Sequence, residues 1–195
     1  MKIEYPPGAT PLEPEDLLEL IPTIATHAQL NEFEAQNILE AEQWARGNSR
    51  LAGELFSVSG LLQLHRRMFG STWGWAGRYR TRDTNIGIDF RQIPQKLPAL
   101  CGDAHYWVTN QTSPWPEIAV RLHHRLVQIH PFVNGNGRHA RLVADLLLEF
   151  NGRSRLTWGG RSLVEKSERR TEYIDTLQEA DSGRIQRLLQ FAESE

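Results

Sequence analysis

Apolar positions recur at helical spacing along most of the chain. Leu30, Phe33, Asn37/Ile38, Ala41 and Trp44/Ala45 share one face, and Gly47-Asn48 ends that run. Ser57 is placed to cap a second helix, with Leu61, Leu64 and Met68 inward and Gly70 closing it. The period resumes at Pro94 with Leu97, Leu100/Cys101, Ala104 and Trp107/Val108, and the prolines of residues 112–117 break it. Pro116 suits the first turn of a helix carrying Ile118, Leu122, Leu126 and Ile129, which ends at His130-Pro131. Another apolar helix starts near Arg138, carries Leu142/Val143, Leu146/Leu147 and Phe150, and closes at Asn151-Gly152. Ser162 is placed to cap a helix with Tyr173, Ile174 and Leu177 inward, and a last short helix carries Ile185, Leu188, Leu189 and Phe191.

Two stretches lack this period. Residues 1–23 hold Pro6, Pro7, Pro11, Pro14 and Pro22, so they read as an extended arm with at most a short helix from Glu15 to Leu20. Residues 71–93 carry Gly74, Gly77 and Gly87 among short β-prone runs, which suggests a hairpin or an ordered loop. The expected fold class is mainly α, with about seven helices and one hairpin-like insert. The expected organisation is an acidic arm over residues 1–29 and one helical domain over 30–195.

Composition narrows the class. With 39% hydrophobic and 24% charged residues, the 195-residue chain is an ordinary globular protein. Its single cysteine, Cys101, excludes an internal disulfide framework and a cysteine zinc finger. There is no apolar run of membrane-spanning length, and the first residues lack the apolar core of a secretory signal, so the expected location is the cytoplasm. The net charge of -2 divides into -8 over residues 1–42 and +6 over the rest, and opposite charges allow the arm to lie on the body. Basic residues never run longer than two, so nothing in the charge pattern favours a nucleic-acid partner. His123 and His124 are neighbours, so on a helix they diverge by about 100° and do not share one metal ion. Trp73 and Trp75 read as packing residues with a lesser case for ligand contact.

The chemistry concentrates in residues 130–141, HPFVNGNGRHAR, which read as helix, tight turn, helix. Gly135 and Gly137 let backbone N–H groups converge, and the following helix adds its free N–H groups and positive dipole end. Such a concavity takes phosphates. Arg138 and Arg141 are three apart and share a helix face, and each offers paired donors to phosphate oxygens. His130 precedes the turn, where a neutral imidazole can take a proton from an attacking hydroxyl. Asn136 can donate to phosphate or fix the loop. This reading fails if packed side chains plug the hollow or if His130 turns inward.

These residues resemble the signature of Fic-domain proteins: His-Pro-Phe, a variable residue, Asp or Glu, Gly-Asn-Gly-Arg, two residues, Arg. WGWAGRYR at 73–80 is similar to a second family segment, TNIGI at 84–88 sits where the family has a β-hairpin flap, and Tyr173, Leu177, Ala180 and Gly183 resemble its late helix pair. The resemblance covers roughly residues 50–191, and the whole chain also resembles the bacterial "mobile mystery protein B" group of Fic-like proteins. The resemblance implies a Fic fold and AMP transfer from ATP to a hydroxyl of a target protein. It implies His130 as general base, Gly135, Asn136 and Gly137 as the anion hole, Arg138 on the β/γ-phosphates and Arg141 on the γ-phosphate. Phe132 would anchor the loop. The flap residues Thr84, Asn85, Ile86, Gly87 and Ile88 would pair with an extended target strand.

The family carboxylate that helps hold Mg²⁺ is replaced by Asn134, which lacks the charge and weakens a metal site. Two other readings therefore stay open: transfer of a different phosphate-containing group, or a non-catalytic nucleotide-binding module of toxin–antitoxin type. The implied partners are a protein presenting a Ser, Thr or Tyr hydroxyl and an antitoxin or regulatory protein. Many Fic proteins carry an inhibitory helix whose Glu pairs with the second motif arginine. Residues 31–37, including Glu34, are the nearest counterpart, and they lack that motif's pairing; an acidic helix covering Arg141 is the corresponding expectation.

Overall fold

The computed structural model describes residues 8–160, 163 and 168–194. Among them, chain order gives α1 (Pro14–Leu17), α2 (His27–Arg46), α3 (Ser49–Glu54), α4 (Val58–Phe69), α5 (Ile93–Thr109), α6 (Trp115–Ile129), α7 (Asn136–Phe150), α8 (Glu168–Asp181) and α9 (Gln186–Glu193). A 3-10 turn, Phe90–Gln92, leads into α5. Among the described residues no helix is long and apolar enough to cross a membrane. The expected cap at Ser162 lies outside the described residues.

Local chemistry sets the ends. Thr26 and Gln29 form a reciprocal capping box, so α2 begins at His27, ahead of the apolar run. Asn48 accepts from the Leu51 N–H and starts α3, a helix of six residues that buries only Leu51. This helix was not expected, because six residues with one inward side chain leave no readable period. Ser57 caps α4 through the Gly60 N–H, as its sequence implies. Pro116 occupies the first turn of α6.

The apolar faces meet in one core. α6 and α7 pack most extensively on each other, α4 lies against α2, α5 against α6, and α8 against α9. Leu64, Met68, Phe69, Leu97 and Leu146 are fully buried there. The inward face of α2 differs from the expected one: Leu30, Glu34, Asn37, Ala41 and Ala45 are buried, while Phe33 is exposed. Polar groups opposite that face decide the difference. Trp73 Nε1 donates to Glu34 at 2.7 Å, and Asn37 donates to the Thr72 hydroxyl at 2.6 Å. Trp73 and Trp75 stack with ring centroids 5.1 Å apart and are both buried, so they pack.

The 71–93 insert has no paired strands. Residues 84–88 form a loop, correcting the expected β-hairpin, and the isolated bridge among the described residues joins Leu20 to Trp73. The loop is shaped by side chains instead. The Thr84 hydroxyl donates to the Ile86 carbonyl at 2.5 Å, and Asp83 accepts the Phe90 N–H at 3.0 Å. The arm lies along the body: Asp16 pairs with Arg82 and Glu19 with Arg78.

Leu64 has no accessible surface, so Leu64→Ala leaves a cavity. Urea unfolding is expected to give a loss of about 2–5 kcal/mol with an unchanged slope.

Candidate active site

Pro131 cannot continue α6, and it disfavours helical geometry at the residue before it. His130 accordingly ends the helix in the left-handed region, at φ 54° and ψ 59°. Its N–H still bonds the Leu126 carbonyl at 3.0 Å. The buried guanidinium of Arg80 holds the other side, with Nε donating to the His130 carbonyl at 2.7 Å. Arg80 also donates to the carbonyls of Arg82 at 2.8 Å and of Ile88. One side chain therefore ties the 80–88 loop to the motif. Gly87, at φ 104°, brings the loop so close that a Cβ there would lie 2.5 Å from the His130 Cβ.

The tautomer of His130 follows from its partners. Nδ1 lies 3.3 Å from the Val127 carbonyl, which only accepts, so Nδ1 carries the proton. Nε2 is then a bare lone pair, and the Thr10 hydroxyl donates to it at 2.9 Å. Burial pushes the His130 pKa down to about 4, the Val127 bond opposing and Arg80 reinforcing the shift. The ring is neutral near pH 7.

Residues 132–138 form the turn. Phe132 is fully buried and stacks on His65 with centroids 3.6 Å apart, so it anchors the loop. His65 accepts the Gly77 N–H at Nδ1 and donates from Nε2 to the Asn134 carbonyl, both at 3.0 Å. Asn136 clasps the turn with both ends of its amide: it accepts the Phe132 N–H at 3.0 Å and donates to the Phe132 carbonyl at 2.9 Å. The Asn136 side chain thus clasps the loop. Its main-chain N–H joins those of Gly137 and Arg138 in the first turn of α7, where helices have free donors. Gly135 caps that helix at φ 79°, and a Cβ there would sit 2.6 Å from the Phe69 ring.

Three guanidinium groups approach this helix end. Arg138 lies over the Phe69 ring at 4.8 Å, and Arg141 over the Tyr173 ring at 5.5 Å. Arg170 of α8 is the third; burial lowers its pKa first, then the charges of Arg141 and Arg138. Tyr173 in turn hydrogen-bonds His123 Nε2 at 2.9 Å, whereas His124 Nε2 bonds Asp181 at 2.9 Å. The two histidines thus face different partners.

His130 is buried and side chains of N-terminal segments plug the hollow, so the phosphate reading applies to a form in which these segments have moved away. Glu34 reaches the motif from α2, but it pairs with Arg138 at 2.6 Å rather than covering Arg141 as expected. The Thr10 carbonyl accepts from the Asn134 amide at 2.9 Å, and the Asn134 Oδ1 accepts the Gly135 N–H at 2.7 Å. A resident Mg²⁺ does not fit these residues. Position 134 has no carboxylate, its amide oxygen is engaged, and the Arg138 guanidinium stands 3.5 Å from it. Thr10, Arg80 and Arg170 escaped the sequence reading. Arg80 closes the WGWAGRYR segment, the one signal that could have singled it out.

The site is thus an N–H-rich turn with clustered arginines and a neutral histidine, set in a helical domain. Residues 55–148, just under half of the chain, match the model of the Fic/DOC family. It is 26% identical over 169 residues to the protein adenylyltransferase Fic of Nematostella vectensis, covering 83% of this chain and 37% of that relative. The chain thus spans well under half the length of this curated relative. Among solved structures, the N-terminal Fic domain of an effector from Bartonella sp. AR 15-3 matches with a TM-score of 0.69 at 22% identity, covering 97% of this chain and 89% of that one. An N-terminal Fic domain with bound ADP from Bartonella quintana matches with a TM-score of 0.68 at 19% identity, covering 89% and 87%. At these identities the two structures share the fold.

His130 and His139 are both held down to about 4 by burial, against an ordinary 6.5. Above pH 6.5 both are neutral whether folded or unfolded, so stability is fully present. Between pH 6.5 and 4 the unfolded chain binds protons that the folded one refuses, and each histidine removes about 3 kcal/mol by the lower limit. Urea unfolding at pH 7.5, 6 and 5 is expected to give steadily falling stability. Flat values across that range contradict the buried neutral rings.

Proposed function

We propose that this protein transfers AMP from ATP to the hydroxyl of a Ser, Thr or Tyr side chain on a protein target. The observation that carries the reading is a hydroxyl donating to His130 Nε2 at 2.9 Å, beside a helix end rich in N–H groups and guanidinium groups. The names of the curated relatives and the ADP bound to the Bartonella quintana domain support it.

In this mechanism His130 takes the hydroxyl proton at Nε2 as the oxygen attacks the α-phosphorus. The bond to the β-phosphate breaks and pyrophosphate leaves. N–H groups of Asn136 and Gly137, joined by that of Gly135 once it leaves Asn134 Oδ1, hold phosphate oxygens, and Arg138 and Arg141 neutralise charge on the β- and γ-phosphates. The loop from Thr84 to Ile88 receives the target. Magnesium is assigned no residue here; a divalent ion would enter on the nucleotide's own oxygens, and no step depends on Asn134 holding it. A cytoplasmic setting, a regulatory partner of antitoxin type, and the division into an arm (1–29) and a helical domain (30–195) belong to the same proposal. A second reading, nucleotide binding without transfer, draws on Asn134.

Arg138 must leave Glu34 to meet phosphate. Glu34→Gln keeps an acceptor for Trp73 and removes the competing charge. Calorimetric titration with ATP is expected to show about tenfold tighter binding in this variant. ATP labelled at the α-phosphate, with Mg²⁺ or Mn²⁺, is expected to label protein in the Glu34→Gln form and not in Glu34→Gln with His130→Ala. Binding without label favours the second reading. Neither binding nor label with any nucleoside triphosphate would falsify both.

A further inference from the structure

The arm lies in the site the way an acceptor peptide would. Its main chain is read at consecutive residues by side-chain amides of two different segments. Asn85 of the loop donates to the Ala9 carbonyl at 3.0 Å, and Asn134 of the motif donates to the Thr10 carbonyl at 2.9 Å. Gly8 passes α8 so closely that a Cβ there would lie 2.5 Å from Ile174 Cδ1, and its φ is +66°. Pro11 holds the preceding Thr10 in extended backbone. Beyond it, buried Asp16 pairs with Arg82, and the Ile21 N–H bonds the Thr72 carbonyl at 2.9 Å.

The side chain of Thr10 then meets the base. Its hydroxyl proton points at the bare Nε2 of His130. A residue that merely filled space would not need a hydroxyl there, nor a carbonyl bonded to the amide next to the phosphate turn. Because Asn134 bonds both the Thr10 carbonyl and the Gly135 N–H, the arm sits at the mouth of that turn. Position 134, read so far as a lost metal ligand, thus acts as a peptide clasp. A carboxylate at 134 would have no N–H for that carbonyl.

We propose that Thr10 is a modification site: a tethered acceptor that the protein's own site adenylylates. The inference rests on the AMP-transfer reading above. The Thr10 Oγ1 forms the new bond to the α-phosphorus of ATP, the bond between α-phosphorus and the bridging oxygen breaks, and pyrophosphate leaves. The hydroxyl proton passes to His130 Nε2. The product carries a bulky anion on a residue that is now buried, so the arm must leave its seat. Modification therefore uncovers the site for other hydroxyls.

The test incubates the full chain and its Glu34→Gln form with ATP and Mg²⁺, followed by intact mass and peptide mapping. The expected result is one adenylyl group on the peptide containing Thr10, formed at a rate independent of protein concentration. The label survives Thr10→Ser and is lost from that peptide in Thr10→Val and in His130→Ala. An unmodified Thr10 while other residues or an added protein become labelled overturns the Thr10 assignment and leaves the transfer reading intact. The same holds if Thr10 is labelled only between molecules, since the rate then rises with concentration. Absence of both ATP binding and label in every form removes the transfer reading, and this inference with it.

Discussion

A single buried guanidinium sets the geometry on which the site depends. Arg80 donates to carbonyls of Arg82, Ile88 and His130, and its own N–H bonds the Pro131 carbonyl at 2.9 Å. It ties a strand-free loop to the strained end of α6. A left-handed histidine is unfavourable by roughly 1–3 kcal/mol and persists only where its surroundings over-determine it. Here the helix, the proline and the arginine all do so. The result is a ring whose Nδ1 faces a carbonyl and whose Nε2 faces the N-terminal arm.

The same site is held shut by residues from outside the matched family region. Glu34 neutralises Arg138, and Thr10 covers the imidazole. Both covers use polar contacts rather than apolar packing, so each has a competitor in solution chemistry. In the proposed reaction, phosphate oxygens would compete with the Glu34 carboxylate for Arg138, and a second hydroxyl would compete with Thr10 for His130. Burial that lowers the His130 pKa also weakens it as a base. Removing the cover restores solvent and lifts the pKa toward its ordinary range. Closure and basicity of His130 are thus opposed, which in the proposed reaction would couple access to activity.

The sequence discloses what is local and hides what is distant. The stripes of α4, α5, α6 and α7 are readable because each buries an apolar face of several turns. The turn at 130–141 is readable because its histidine, glycines and arginines are neighbours in the chain. Glu34 and Phe33 exchange roles because the partner that settles the matter, Trp73, lies 39 residues away. Thr10 meets His130 across 120 residues, in an arm whose prolines indicate only extension. The Asn136 side chain is a clasp because both its groups find Phe132, a detail that spacing alone leaves open. The hairpin expectation failed because β-prone residues in 84–88 bond to side chains before they can bond to a second strand.

The central claim is that His130 is a neutral imidazole with a free Nε2 lone pair aimed at a hydroxyl. Long-range proton–nitrogen NMR of the histidine rings tests it directly, with His130→Gln identifying the resonance. The expected result is the Nδ1–H tautomer, neutral throughout pH 7 to 5 in the closed protein. An Nε2–H tautomer, or ordinary titration near 6.5, contradicts it.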